Sequence, residues 1–540
     1  MAVRKNRGAD ALAAALSRAG VRRVFTLSGN HVMPVFDACL DAGIALLHVR
    51  HEAAAVHMAD AWARLTGEVG VALVTGGPGH ANAVSALYTA AMAESPVVLL
   101  SGHAPLGQLG KGAFQEMRQA DIAAPLCKAS TTSASPDRVA LDLAAAMRAA
   151  ASGRPGPVHL SLPQDALDGP ADLESVPSSA SFMPEAMPLD DGIARDIATR
   201  LANARSPLIL AGPWAMRGEA AQRATALENA TGIPVIGMES PRGVGDPSLG
   251  ALAQVLLRGD LVLLLGKRLD FTLKFGAAFS DACTFLQIDP EGDELERTRR
   301  AMGPRLLAAA VADGVSSLRA LAHHAKPSEK GWREEVRDAL AWRPAAWDHA
   351  GASSSGRLHP VQAFRPLQAL LDTHADSVFV CDGGEIGQWA QACLRAPNRV
   401  INGVAGSIGA ALPFALAARL ARPGAPVVAV MGDGTFGFHP AEIDTAVRYR
   451  LPFVAIVGND ARWNAEYQIQ VRDYGADRTV GCELLPARYD EVAKGFGGHG
   501  ELVTEASQLL PAVQRAIAAK LPAVLNVMVE GLPAPNLKRP

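Results

Sequence analysis

Three doubly wound parallel-sheet domains of the α/β class are predicted by three features of the chain. Short, strongly apolar runs alternate with amphipathic helical stretches, several runs end in glycine-rich turns, and 540 residues exceed what one hydrophobic core organises. A composition of 49% hydrophobic and 19% charged residues suits large buried cores and lies far from disorder.

In chain order, residues 11–19 read as a helix, 24–27 and 46–49 as strands, and 71–75 as an apolar strand entering Gly76-Gly77-Pro78-Gly79. Residues 97–100 and 158–162 add buried strands, giving a first domain over 1–170. A proline- and serine-rich stretch, 168–188, has the composition of a linker. A second alternating unit, 190–325, carries strands at 207–211, 234–236, 261–265 and 284–288 and closes with a helix at 318–324. Residues 326–357 then connect to a third unit, 358–540, with strands at 378–381, 427–431 and 453–457. No short repeat or heptad run interrupts the pattern.

Composition excludes several roles. A formal net charge of −3 is too small to hold a polyanion, so nucleic acid is not an expected partner. Six cysteines without a CxxC pair form neither a disulfide framework nor a thiolate metal site, which fits a reducing cytoplasm. Arg4, Lys5 and Arg7 precede an amphipathic helix rather than an apolar signal core, and no run of 18 apolar residues is present, so neither secretion nor a membrane is expected.

Chemistry concentrates in the third unit, where one strand leads into Gly432-Asp433-Gly434 and the next ends in Asn459-Asp460. Both acids then sit at the carboxyl edge of neighbouring parallel strands, where open α/β sheets bind ligands. Oxygen ligands suit Mg²⁺ together with substrate phosphates, and Gly432 and Gly434 let backbone amides approach a diphosphate. A plain strand-to-helix turn is the bland alternative for so short a motif.

The spacing of this motif resembles that of the thiamine diphosphate (ThDP) enzymes, in particular the decarboxylase, lyase and carboligase superfamily of acetolactate synthase, benzaldehyde lyase, 2-hydroxyacyl-CoA lyase and oxalyl-CoA decarboxylase. The resemblance runs over essentially the whole chain. It implies a pyrimidine-binding domain first, a middle domain second and a diphosphate-binding domain third. It also implies Asp433, Asp460 and the backbone carbonyl of Arg462 as Mg²⁺ ligands. Relatives usually have Asn-Asn where this chain has Asn459-Asp460, so a carboxylate replaces a ligand amide.

By the same resemblance, Glu52 bonds the pyrimidine and drives proton transfer in cofactor activation; a helix-start carboxylate facing the macrodipole is its bland alternative. Ile408, within Gly406-Ser407-Ile408-Gly409, matches the apolar residue that bends the cofactor, with the Gly406 carbonyl beside it. Pro78 and Asn82 are expected in the pyrimidine pocket. Asn30 and His31 resemble the Ala-His of benzaldehyde lyase, and Gln115, in Gly112-Ala113-Phe114-Gln115-Glu116, matches a GAFQE shared by acetolactate synthases and 2-hydroxyacyl-CoA lyases. A polar His and Gln in a dry site suit donation to a substrate oxygen, although either suits an ordinary loop as well.

These residues imply a ThDP- and Mg²⁺-dependent lyase or carboligase acting on 2-keto or 2-hydroxy acyl compounds through a carbanion-enamine intermediate. The resemblance further implies a homodimer at least, with Glu52 completing a site with the partner subunit's Asp433, and a homotetramer as the expected assembly. Residues 265–276 look like the middle segment of 2-hydroxyacyl-CoA lyases, and Ile469 stands where acetolactate synthases carry tryptophan. An acetolactate synthase using pyruvate is the alternative, and a non-catalytic regulatory subunit the alternative of another class. No GxGxxG marks the middle domain, which leaves FAD, CoA or an ADP group there open; Arg268, Lys274, Lys538 and Arg539 are the basic residues that could meet CoA.

Overall fold

The structure, a computed structural model, describes residues 6–328, 330–351 and 356–540. Arg4 and Lys5 lie outside the described residues, as do residues 329 and 352–355 of the second connection. The chain divides into two compact units, Met1–Glu185 and Ala186–Pro540.

In the first unit, strands β1 (Arg23–Thr26), β2 (Ala45–His48), β3 (Gly70–Val74), β4 (Val97–His103), β5 (Ala129–Thr132) and β6 (Val158–Pro163) form a parallel sheet in the order β2-β1-β3-β4-β6-β5. The second unit holds two further parallel sheets. One joins β7 (Pro207–Ala211), β8 (Val235–Gly237), β9 (Leu261–Leu265), β10 (Thr284–Asp289) and β11 (Leu306–Val311) in the order β11-β10-β9-β7-β8. The other joins β12 (Val378–Cys381), β13 (Asn398–Ile401), β14 (Val427–Gly432), β15 (Val454–Asn459), β16 (His499–Val503) and β17 (Ala523–Met528) in the order β13-β12-β14-β15-β17-β16.

Alternation of side chains explains why the central strands read as unbroken apolar runs. On β9, Val262 and Leu264 enter one core with Leu208 and Phe285, while Leu261, Leu263 and Leu265 enter another with Ile209 and Ile288. Both faces of the sheet are therefore dry, and helices cover each.

Two connections are more structured than their composition suggests. Residues 168–188 place Val176 and Phe182 in the first core, and the first unit extends through Glu185. Within residues 326–357 lies the helix Lys330–Ala341, whose Trp332, Val336 and Ala339 pack under the middle sheet. Their spacing of three to four residues is helical, and charged positions between them obscure it.

Candidate functional site

In the third sheet the strand order reverses between β12 and β14, and this switch point opens a crevice at the carboxyl edge. Three strands deliver carboxylates there: Asp382 after β12, Asp433 after β14 and Asp460 after β15. Gly432 and Gly458 are in register, so the residues that follow emerge side by side.

Asp382 is satisfied by the chain itself. Its carboxylate accepts from the amides of Gly383 at 2.8 Å, Gly409 at 3.0 Å and Ala411 at 3.2 Å, and burial pushes its pKa up to about 6 against the pull of those donors. It thereby ties the 406–411 turn to the strand edge. Ile408 lies over Gly383, where an added Cβ would sit 2.9 Å from its Cγ2.

Asp433 and Asp460 are not satisfied. Both are buried, and Asp433 Oδ2 and both Asp460 carboxylate oxygens have no hydrogen-bond partner. Burial raises the pKa of each, and Asp433's negative charge raises that of Asp460 further. An uncompensated buried carboxylate costs on the order of several kcal/mol, so adjacent orphan oxygens are a place that a cation would stabilise. Among the described residues no cluster of three His, Cys, Asp or Glu side chains forms, so further ligands would be neutral oxygens of the chain, phosphate or water. This donor set fits a hard divalent ion on a diphosphate. The cleft is also lined by Gly406, Ile408, Gly432, Gly434 and Arg462.

Neighbouring residues have structural duties. Asn459 closes the turn after β15: its amide donates to Ala487 O and Asn526 Oδ1, and its oxygen accepts from the Ala461 amide. Gly434 is required by packing, because a Cβ there would lie 2.7 Å from the Trp463 ring, whereas Gly432 has room for one. The Arg462 guanidinium stacks on Tyr467 at 4.2 Å.

The first unit gathers a second group. Glu52 opens the helix Glu52–Thr66, capped by the His51 side chain accepting from Ala53 N. It is buried, and its Oε2 accepts from Asn82 Nδ2 at 3.0 Å; Asn82 and Pro78 lie on the first turns of the helix Pro78–Met92. His31 is buried with Nδ1 3.3 Å from Thr75 Oγ1, and its ring stacks on Phe114 with 5.9 Å between centroids. Burial and then the charge of His103 hold its pKa below the usual imidazole value. Gln115 adopts φ +57° and approaches Gly77 so closely that a Cβ there would meet Gln115 Cβ at 2.7 Å. Asn30 is the member left outside this contact network, exposed at the start of the short helix Asn30–Val32.

Sequence reasoning missed several supporting residues. The Glu116 carboxylate accepts from the amides of Gly110, Gly112 and Ala113, which holds the loop carrying Phe114 and Gln115. Gln119 accepts from Gly77 N at 2.8 Å and donates to Gly102 O and Ser161 Oγ, fixing the glycine turn before Pro78. In the third sheet Asp382 was open to the reasoning that found Asp433, since Cys381-Asp382-Gly383-Gly384 also follows an apolar strand. Asn402 Oδ1 and Gln388 Oε1, buried acceptors without partners in the same cleft, carry no sequence signal.

Fold and donor set together define a class: α/β enzymes that hold a phosphorylated cofactor at the carboxyl edge of a parallel sheet. Family comparisons sharpen it. Residues 6–122 match the thiamine pyrophosphate enzyme N-terminal TPP binding domain, 194–313 the central domain and 382–527 the C-terminal TPP binding domain. An acetolactate synthase large subunit, IlvG, of Mycobacterium tuberculosis is 34% identical over 96% of this chain and 95% of its own length. The 2-hydroxyacyl-CoA lyase 2 of Homo sapiens is 31% identical over 97% of this chain and 90% of its own, and a catabolic acetolactate synthase of Raoultella terrigena is 31% identical over 97% and 95%. The chain belongs to the thiamine pyrophosphate enzyme family, whose cofactor is ThDP.

Proposed function

We propose that this protein is a ThDP- and Mg²⁺-dependent lyase or carboligase that breaks or makes the carbon–carbon bond beside a carbonyl in 2-keto or 2-hydroxy acyl compounds. The observation that carries the reading is the buried Asp433 and Asp460 pair with its unpartnered oxygens at the third-sheet switch point. Asp433, Asp460 and the Arg462 carbonyl would hold the cation, and the glycine-rich edge with Ile408 would seat the diphosphate and thiazolium. When bound, ThDP supplies an electron sink for a carbanion next to a carbonyl.

The chain's own residues do the rest. Glu52, its carboxylate fixed by Asn82, would hold a proton for a ring nitrogen of the cofactor, and Pro78 would line the same pocket. His31, its pKa lowered by burial, and Gln115 would donate to a substrate oxygen, with Phe114 stacked on the His31 ring and Asn30 at the rim. The domain limits 1–170, 190–325 and 358–540 belong to this reading, supported by three sheets whose strands fall inside them. A homodimer or larger homo-oligomer is part of it too. A second reading, acetolactate synthase, is supported by the 34% identity to the protein of that name.

The middle sheet, in this reading, carries no FAD. Its switch point lies between β7 and β9, and the Trp214 indole fills the edge there: Cβ atoms added at Gly266 and Gly314 would lie 2.6 and 2.1 Å from it. A flavin absorbance band in the purified protein would overturn that statement. For the activity, calorimetric titration of the metal-free protein with ThDP and Mg²⁺, followed by incubation with pyruvate, benzoin and a 2-hydroxyacyl-CoA, is the test. Saturable binding and turnover of one substrate are expected; no saturable binding would defeat the enzyme reading and leave a regulatory subunit.

A further inference from the structure

One side chain of the middle domain reaches the third-sheet cleft with a charge that the proposed chemistry does not use. Arg242 lines it beside Glu385, Asp433, Asp460, Arg462 and Glu466. Acids outnumber bases there, and the Arg462 guanidinium is stacked on Tyr467. Arg242 Nη2 donates to Glu385 Oε2 at 2.8 Å, and among the described residues Glu385 is the one partner of its guanidinium. The Glu385 side chain is 8% exposed and that of Arg242 44%, so a buried carboxylate holds one end of a guanidinium that stays open to solvent in a residue lining the cleft.

The loop that presents Arg242 is fastened at three points. Arg399 of β13 donates to Glu239 Oε1 at 2.7 Å and lies 3.7 Å from Asp246 Oδ2, gripping both ends of residues 239–246. Between them Gly243, at φ +53°, presses on the Thr272 backbone, where a Cβ would overlap the carbonyl oxygen at 2.1 Å. Pro241 sits over Gly406, 3.7 Å from an added Cβ. A solvated surface arginine needs none of this. A fork held on a fixed loop, tethered on one side and open on the other, is the arrangement that recognises a carboxylate or phosphate.

We propose that Arg242, oriented by Glu385, is the specificity-determining residue that binds an anionic group of the substrate at the mouth of the cofactor cleft. The inference rests on the reading of that cleft as the ThDP site, and it confines the substrates to anions: a 2-oxo acid through its carboxylate, or an acyl-CoA through its phosphates.

The test uses the full chain loaded with ThDP and Mg²⁺, as wild type, Arg242→Gln, Arg242→Lys and Glu385→Gln. Calorimetric titrations are run with oxamate, a carboxylate isostere of a 2-oxo acid, and with coenzyme A. One of the two should bind the wild type and weaken about tenfold or more in Arg242→Gln, as loss of a charged hydrogen bond predicts, with smaller losses in the other variants. The anion affected tells carboxylate from phosphate. ThDP affinity, measured separately, should move less than about twofold. Equal anion affinity in wild type and Arg242→Gln, no binding of either anion to loaded wild type, or a parallel loss of ThDP would each overturn the proposal. If the wild type itself fails to bind ThDP, the functional reading fails instead. Should Arg242→Gln not fold, Arg242→Lys, which keeps the charge without the fork, carries the comparison.

Discussion

The first and third sheets share one strand order, since β2-β1-β3-β4-β6-β5 becomes β13-β12-β14-β15-β17-β16 when the numbering is shifted. Their carboxyl edges differ in kind. Where β14 and β15 end in Asp433 and Asp460, the matching β3 and β4 lead into Thr75-Gly76-Gly77 and Ala104. The first-sheet edge ties its carboxylate to a donor: Gln119 holds Gly77, Asn82 holds Glu52, and His80 and His159 meet Ser101 and Ser130, with His80 Nε2 left unpartnered. The third-sheet edge leaves three acid oxygens without partners. One strand order can thus carry an edge whose carboxylate is held by an amide and another whose neighbouring carboxylates have oxygens without donors.

The largest expected effect falls on the third-sheet edge. Asp433→Ala should abolish the rise in melting temperature that Mg²⁺ and ThDP produce, a stabilisation of about 2.7 kcal/mol at a hundredfold excess over Kd. The ligand-free variant should melt no lower than wild type, because one of two repelling buried carboxylates is gone. A full Mg²⁺–ThDP shift in the variant would break the comparison. On the first-sheet edge, Glu52→Gln should keep cofactor binding and lower turnover by about 10² to 10⁴, as removal of a general acid–base does. Unchanged turnover would take Glu52 out of the chemistry.

A smaller effect separates the edges by pH. Burial lowers the His80 pKa to about 4 and holds His159 well below its ordinary value, so both stay neutral in the fold. Stability from keeping His80 neutral is present above its unfolded value of 6.5 and is lost as pH falls from there toward 4, a change of roughly 3 kcal/mol. Melting temperature against pH should therefore fall less steeply for His80→Gln than for wild type. Identical slopes would mean that the first edge owes nothing to its neutral histidines.

Strands in the middle of each sheet were readable because both faces are buried, which leaves runs such as Leu261–Leu265. The unread strands are mostly edges: β5, β11, β13 and β16 each pair on one side only and carry exposed or half-buried polar residues such as Thr131 and Glu501. β17 is interior, but Asn526 breaks its run because that side chain bonds Asn459 and Ala487. Glycine turns announced the site's strand ends, yet glycine has more than one reason to be there: Gly434 answers to Trp463, and Gly29 to Thr75, which a Cβ would meet at 2.3 Å.

Sequence alone determined the three α/β units, the two acids at adjacent strand ends and the family to which they point, because apolar period, turn chemistry and short motifs are local properties of a chain. Tertiary structure decided what no local pattern encodes: that Asp382 is satisfied while Asp433 and Asp460 are not, that Trp214 packs against Gly266 and Gly314, and that Arg242 is delivered to the third-sheet cleft. Whether a buried charge has a partner depends on groups distant in sequence, and only folding brings them within hydrogen-bonding range.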